Sequence, residues 1–144
     1  MTKPIMNPMA APRRTALAAL AALALPARVA SGSPPDPRWA RLAEDMRRLA
    51  LSWGDQGYGA VLVLDDEAVG LGPSRVVRDN DPDAHAERVA IRSAQQRLGR
   101  QRLPGAVLYS TSRPCARCEA AASAAAVSRM IFGADLHDAG APRG

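Results

Sequence analysis

Two short runs hold the residues whose types can do chemistry. His85-Ala86-Glu87 opens one predicted helix, and Pro114-Cys115-Ala116-Arg117-Cys118 opens the next. Both cysteines of the chain lie in the second run, three residues apart. That spacing at a helix start puts both sulfurs on one face, where free N–H groups and the helix dipole favour thiolates. His85 adds a nitrogen ligand of the softness zinc accepts. Three protein ligands leave one tetrahedral position for water, which is the arrangement of a catalytic rather than a structural zinc.

Glu87 is the informative neighbour. Glu87, Ile91, Ala94 and Leu98 recur at intervals of four, three and four residues, so the carboxylate shares the helix stripe that faces the core. A carboxylate screened from water suits a proton carrier. Spacing alone does not bring His85 and Glu87 to one metal, because residues i and i+2 point apart on a helix.

The elements that must position these runs are legible in outline. Asp36 followed by Pro37 reads as an N-cap with proline at the first helical position. The helix that follows reaches about Trp53, with Leu42, Met46, Leu49 and Trp53 on its apolar stripe and Gly54 as its stop. Tyr58–Leu64 reads as a buried strand, Asp65-Asp66-Glu67 as a turn, and Ala68–Leu71 as the returning strand of a hairpin. A polar loop over 72–83 leads to a second helix over about 84–98, closed by Gly99. A third strand over Ala106–Ser110, an alanine-rich third helix over 115–126 and a fourth strand over Arg129–Phe132 complete the order α, ββ, α, β, α, β. Helices separated by strands after one hairpin predict a layered α/β domain with a mixed sheet.

Composition narrows the function classes. The chain has 144 residues, enough for one ordinary domain. Its net charge of +5 arises largely in residues 1–30, which hold Lys3, Arg13, Arg14 and Arg28 and no acid. Residues 31–144 carry a net charge of +1, too small for a general electrostatic grip on nucleic acid. Two cysteines exclude a disulfide scaffold. Residues 1–30 run from a basic start ending in Arg13-Arg14, through the uncharged Ala16–Leu25, to a small-residue stretch, and read as a twin-arginine-type export signal. The uncharged run is too short to span a bilayer. Residues 31–37 read as a linker, 38–133 as the domain and 134–144 as a polar tail.

His-x-Glu followed by Pro-Cys-x-x-Cys resembles the signature of the cytidine deaminase-like zinc deaminases. The resemblance extends from about residue 40 to Gly133. Gly59-Ala60-Val61 is similar to the first-strand motif, and Phe132-Gly133 to the end of the fourth strand. Asp81-Pro82-x-Ala84-His85-Ala86-Glu87 with Ala90-Ile91-Arg92 resembles the branch of guanine deaminase, tRNA adenosine deaminase and fungal cytosine deaminase. This resemblance implies a three-layer α/β/α fold around a mixed sheet, in a homodimer. It also implies one zinc ion per chain on His85, Cys115 and Cys118, with Glu87 as acid/base, and Tyr58, Ser74 and the Ala86 backbone meeting the substrate base. Ser74 stands where the branch usually has asparagine, Arg113 where it often has glutamate and Arg117 where it often has methionine. Only Ala134–Gly144 follow the fourth strand, so the fifth strand and closing helices of the family are expected to be missing.

Three other readings bear on the same residues. A redox Cys-x-x-Cys pair has no use for His-x-Glu upstream. A structural zinc site would need His137 as its fourth ligand, and His137 stands in a polar, glycine-flanked segment that reads as solvated surface. A zinc-binding module that keeps the deaminase fold without activity is the third. The residues favour a zinc-dependent hydrolytic deaminase of a small nucleobase or nucleoside, a purine such as guanine or adenosine first, acting outside the cytoplasm. A tRNA-specific adenosine-to-inosine deaminase is the alternative if residues 1–30 are not a signal.

Overall fold

The computed structural model describes residues 32–144, so residues 1–30, expected to be an export signal, lie outside the described residues. No described helix is long and apolar enough to cross a membrane.

Helix α1 spans Pro37–Ser52. Asp36 caps it as expected, its Oδ1 accepting the Arg38 N–H at 2.8 Å. Trp39, Leu42, Ala43 and Met46 turn towards the sheet, while Leu49 is 38% exposed. The buried stripe is therefore rotated towards Ala43 and Ala50. The cause is close approach: at Gly59 a Cβ would collide with the Ala43 carbonyl and the Arg47 N–H, so only small residues fit between helix and sheet there.

Strands β1 (Gly59–Leu64) and β2 (Glu67–Pro73) form the expected hairpin. Its turn is two residues, not three. Asp65 and Asp66 both take positive φ (51° and 58°), the geometry of a tight turn matched to strand twist, and Glu67 already belongs to β2. Helix α2 (Ala86–Leu98) ends where expected, on Gly99 in the left-handed region with φ 64°. Strand β3 (Val107–Ser110), helix α3 (Ala116–Ala124) and strand β4 (Arg129–Phe132) follow in the predicted order.

The sheet order is β2-β1-β3-β4 with one further strand beyond β4. Strand β3 pairs parallel with β4 and antiparallel with β1, so the sheet is mixed. Residues alternate between its two faces. Val61, Val63, Tyr109 and Ile131 pack with α1, whereas Ala60, Leu62, Leu108 and Met130 pack with α2 and the α3 side. This is the three-layer α/β/α arrangement. Helix α2 lies almost directly on β2: a Cβ at Gly70 would strike the Ala90 carbonyl, and one at Gly72 the Ala86 carbonyl. Two side-chain-free positions thus set the height of the α2 start above the sheet.

The segment after β4 departs from the expectation. A fifth strand, β5, is formed by His137–Gly140 within the predicted polar tail and pairs antiparallel with β4. Two side-chain contacts hold these polar residues in place. Arg129 on β4 donates to Asp138 at 2.6 and 3.0 Å, and the His137 ring packs on Phe132 with centroids 4.7 Å apart. Burial is therefore not what defines β5, and apolar patterning does not mark it.

Candidate metal centre and active site

The chemistry collects where α2 and α3 begin. His85 is the N-cap of α2 and Cys115 the N-cap of α3, both with extended backbone. An N-cap side chain ordinarily accepts one of the helix's free N–H groups. Neither of these does so; they turn towards each other instead. His85 Nδ1 lies 3.7 Å from Cys115 Sγ and 3.4 Å from Cys118 Sγ, and the three ligand atoms fall within 4.8 Å of one another. Tetrahedral zinc, with bonds of about 2.3 Å to sulfur and 2.0–2.1 Å to nitrogen, holds such N and S atoms roughly 3.5 Å apart. The donor set and its spacing fit that ion. His137 has no part in it: it is exposed on β5 against Phe132, so a fourth structural ligand from that residue is not supported.

The two sulfurs differ. Cys115 is exposed and Cys118 is buried. Burial above all, then the charge of Glu87 and the neighbouring Cys115, push the Cys118 thiol well above its ordinary range. The helix start alone therefore does not make Cys118 a thiolate; a cation among the three ligands would reverse the balance.

Glu87 is in the first turn of α2 and only 5% exposed. Its Oε1 accepts a hydrogen bond from Ser110 Oγ at 2.7 Å, so the buried carboxylate is held in one orientation. Ser110 was not singled out from the sequence, although a signal exists. It shares the Leu108 face of a buried strand, and a serine at a core-facing position needs a polar partner. What spacing could not decide, the fold resolves: His85 and Glu87 both line one cleft of about 460 Å³.

Tyr58, 47% exposed, and the buried Ala86 also line this cleft. Gln56, Ser112 and Arg113 complete the wall and were not predicted to do so. Ser74 does not line it. Its side chain is fully buried and its hydroxyl donates to Asp55 Oδ1 at 3.0 Å. A base-contacting role for Ser74 is therefore corrected to a tethering one. Asp55 also accepts from the Gln56 N–H (2.7 Å) and the Arg78 N–H (2.7 Å), joining the end of α1 to the loop after β2. Burial pushes the Asp55 carboxyl up, but these hydrogen bonds outweigh it and hold it below the usual carboxylate value.

Residues 35–134 match the family described as cytidine and deoxycytidylate deaminase zinc-binding region. The chain belongs to this family. Zinc is the family's metal, and His85, Cys115 and Cys118 are its candidate site in this deaminase domain. The domain is 47% identical over 83 residues to the tRNA-specific adenosine deaminase of Agrobacterium fabrum, covering 58% of this chain and 55% of that protein. It is 38% identical over 82 residues to the guanine deaminase of Bacillus subtilis, covering 57% and 53%. The chain thus spans about half the length of these two curated relatives. Among solved structures it is similar to one from work on A-to-I editing by tRNA:A34 deaminases, with TM-score 0.66 and 41% identity over 68% of this chain and 71% of that one. The Bacillus subtilis guanine deaminase structure gives TM-score 0.64 and 31% identity over 69% and 64%.

Proposed function

We propose that this domain is a zinc-dependent hydrolytic deaminase that releases ammonia from an aminated nucleobase or nucleoside, a purine such as guanine or adenosine first. The observation that carries it is the buried Glu87 carboxylate, oriented by Ser110, on the same cleft as His85 and Cys115, which with Cys118 form the candidate ligand trio. When bound, zinc supplies the Lewis acidity that makes water a nucleophile near neutral pH.

Glu87 moves the protons. It takes one from the attacking water and passes it to the ring nitrogen next to the amino-bearing carbon. It then carries the second to the departing amine. The C–N bond breaks, a C=O bond forms, and both protons of the water are accounted for, one on the ring and one in ammonia. Tyr58, half-exposed on the cleft, offers its ring to the base, and Ala86 offers its backbone. Ammonia release from guanine, adenine, cytosine and their nucleosides tests this. Glu87→Gln should lower turnover by about 10²–10⁴-fold while the protein keeps its zinc. Loss of zinc in that variant, or near-native turnover, would sink the role given to Glu87.

A second reading has its own support. Relatives 34–47% identical, from Agrobacterium fabrum, Buchnera aphidicola and Haemophilus influenzae, bear the name tRNA-specific adenosine deaminase. Conversion of adenosine to inosine in a tRNA anticodon loop, with no release of ammonia from small compounds, would favour it. Location separates the two. Residues 1–30 carry the activity out of the cytoplasm, supported by Arg13-Arg14 before an uncharged run. Replacing both arginines by lysine should retain the protein inside, as cell fractionation would show; an uncut cytoplasmic protein would count against export.

A further inference from the structure

Resting on the deaminase reading, we infer that Arg113 adds a phosphate-binding subsite to this cleft, so that a nucleoside the cleft accepts is turned over better as its nucleotide. Arg113 is exposed, stands two residues before Cys115 and lines the cleft with His85 and Glu87. It is the only Lys or Arg among the lining residues, and Glu87 is the only acid there. Glu87 is turned to Ser110 and makes no pair with Arg113.

Three other arginines have carboxylate partners. Arg88 and Arg117 share Asp83, at 3.6 and 3.3 Å, and Arg75 is paired with Asp79 at 2.8 Å. Arg113 has no ion pair with any described residue. Its guanidinium lies 5.9 Å from the centre of the Phe132 ring. That contact leaves its hydrogen-bond donors free. A planar guanidinium with free donors on a cleft wall is matched to phosphate.

The depth of the groups gives the order of the ligand. The amino-bearing carbon must reach the buried Glu87 carboxylate. Arg113 is exposed, so a base seated against Glu87 leaves the rest of the substrate towards it. For a nucleotide that part is the sugar and its phosphate. Ser112 and Gln56 also line the cleft and offer neutral polar groups to the sugar. The phosphate can be the monoester of a mononucleotide or a diester within an oligonucleotide; the chemistry that recognises it is the same.

The test compares matched substrates that differ only in phosphate. For zinc-loaded protein, kcat/KM is measured on adenosine, guanosine and cytidine, on their 5′-monophosphates, and on short single-stranded oligonucleotides holding the same base. The ratio of nucleotide to nucleoside should fall roughly tenfold or more in Arg113→Gln and be largely kept in Arg113→Lys. Monophosphates and oligonucleotides tell the two phosphate sources apart. Binding is followed separately in the Glu87→Gln background by titration with adenosine 5′-monophosphate and adenosine, where Arg113→Gln should weaken the nucleotide alone. A ratio near one in the native protein, or one unchanged by Arg113→Gln, overturns the role of Arg113 and leaves the deaminase reading standing. Absence of ammonia from every compound, with intact zinc and with nucleotide binding still dependent on Arg113, overturns the deaminase reading instead.

Discussion

At the scale of single residues the site depends on what each side chain gives up. His85 and Cys115 forgo the capping bonds of their helices and face each other. Glu87 forgoes water and receives one hydroxyl in return. Ser110 is the residue whose removal best separates orientation from chemistry. Ser110→Ala leaves the buried Glu87 oxygen without its donor, which should cost about 1–3 kcal/mol of stability. Turnover should fall about 10–100-fold, the usual range for a group that positions another, with zinc content unchanged; chemical denaturation, kinetics and metal analysis read the three effects. The ligand trio and Glu87 were legible from residue type and spacing. Ser110 was not, because its role exists only once β3 lies beneath the first turn of α2. Ser74 differs from its expected role for the same reason: the sequence places it beside the site, and the fold turns its hydroxyl to Asp55.

At the scale of elements, the α2 start is set by what the sheet lacks. Gly72 has no positive φ to explain it; it is glycine because the Ala86 backbone occupies the space of a side chain. Gly72→Ala should therefore push α2 outward and cost roughly 1–3 kcal/mol or more. Because Ala86 sits between His85 and Glu87, zinc affinity should drop together with the melting temperature, and calorimetry with metal titration checks both. Asp55 holds the loop after β2 in a different way. Its folded carboxyl lies below the usual value because its hydrogen bonds outweigh burial. Its contribution is fully present above the unfolded value of about 4 and is lost as pH falls through the lowered folded value. Acid unfolding of Asp55→Asn should thus be less steep below about pH 4 than that of the native protein, at the expense of stability near neutrality. Helix ends and strands were readable where caps and apolar runs mark them, as at Asp36 and Gly99. The rotation of α1 and the two-residue turn were not, since close backbone approach at Gly59 and paired left-handed aspartates leave no periodic trace.

At the scale of the whole molecule, the ligand trio joins the start of α2 to α3, a helix that buries only Cys118 and Ala122. With so little of α3 buried, the metal has structural weight as well as a chemical role. Chelation should lower the melting temperature and expose two titratable thiols. Free zinc about 100-fold above its dissociation constant should return about 2.7 kcal/mol, and a thermal shift unaffected by chelator would refute the clamp. The far side of the sheet has a different problem to solve. Strand β4, with Met130, Ile131 and Phe132, would end the sheet as an apolar edge if β5 did not pair with it. An unpaired apolar edge is a template for the same strand of another copy. Four residues from His137 to Gly140, held by one ion pair and one ring contact, stand between this domain and edge-to-edge aggregation. Charge reversal at Asp138 would leave the chemistry of the cleft alone and act on how long the protein stays dispersed.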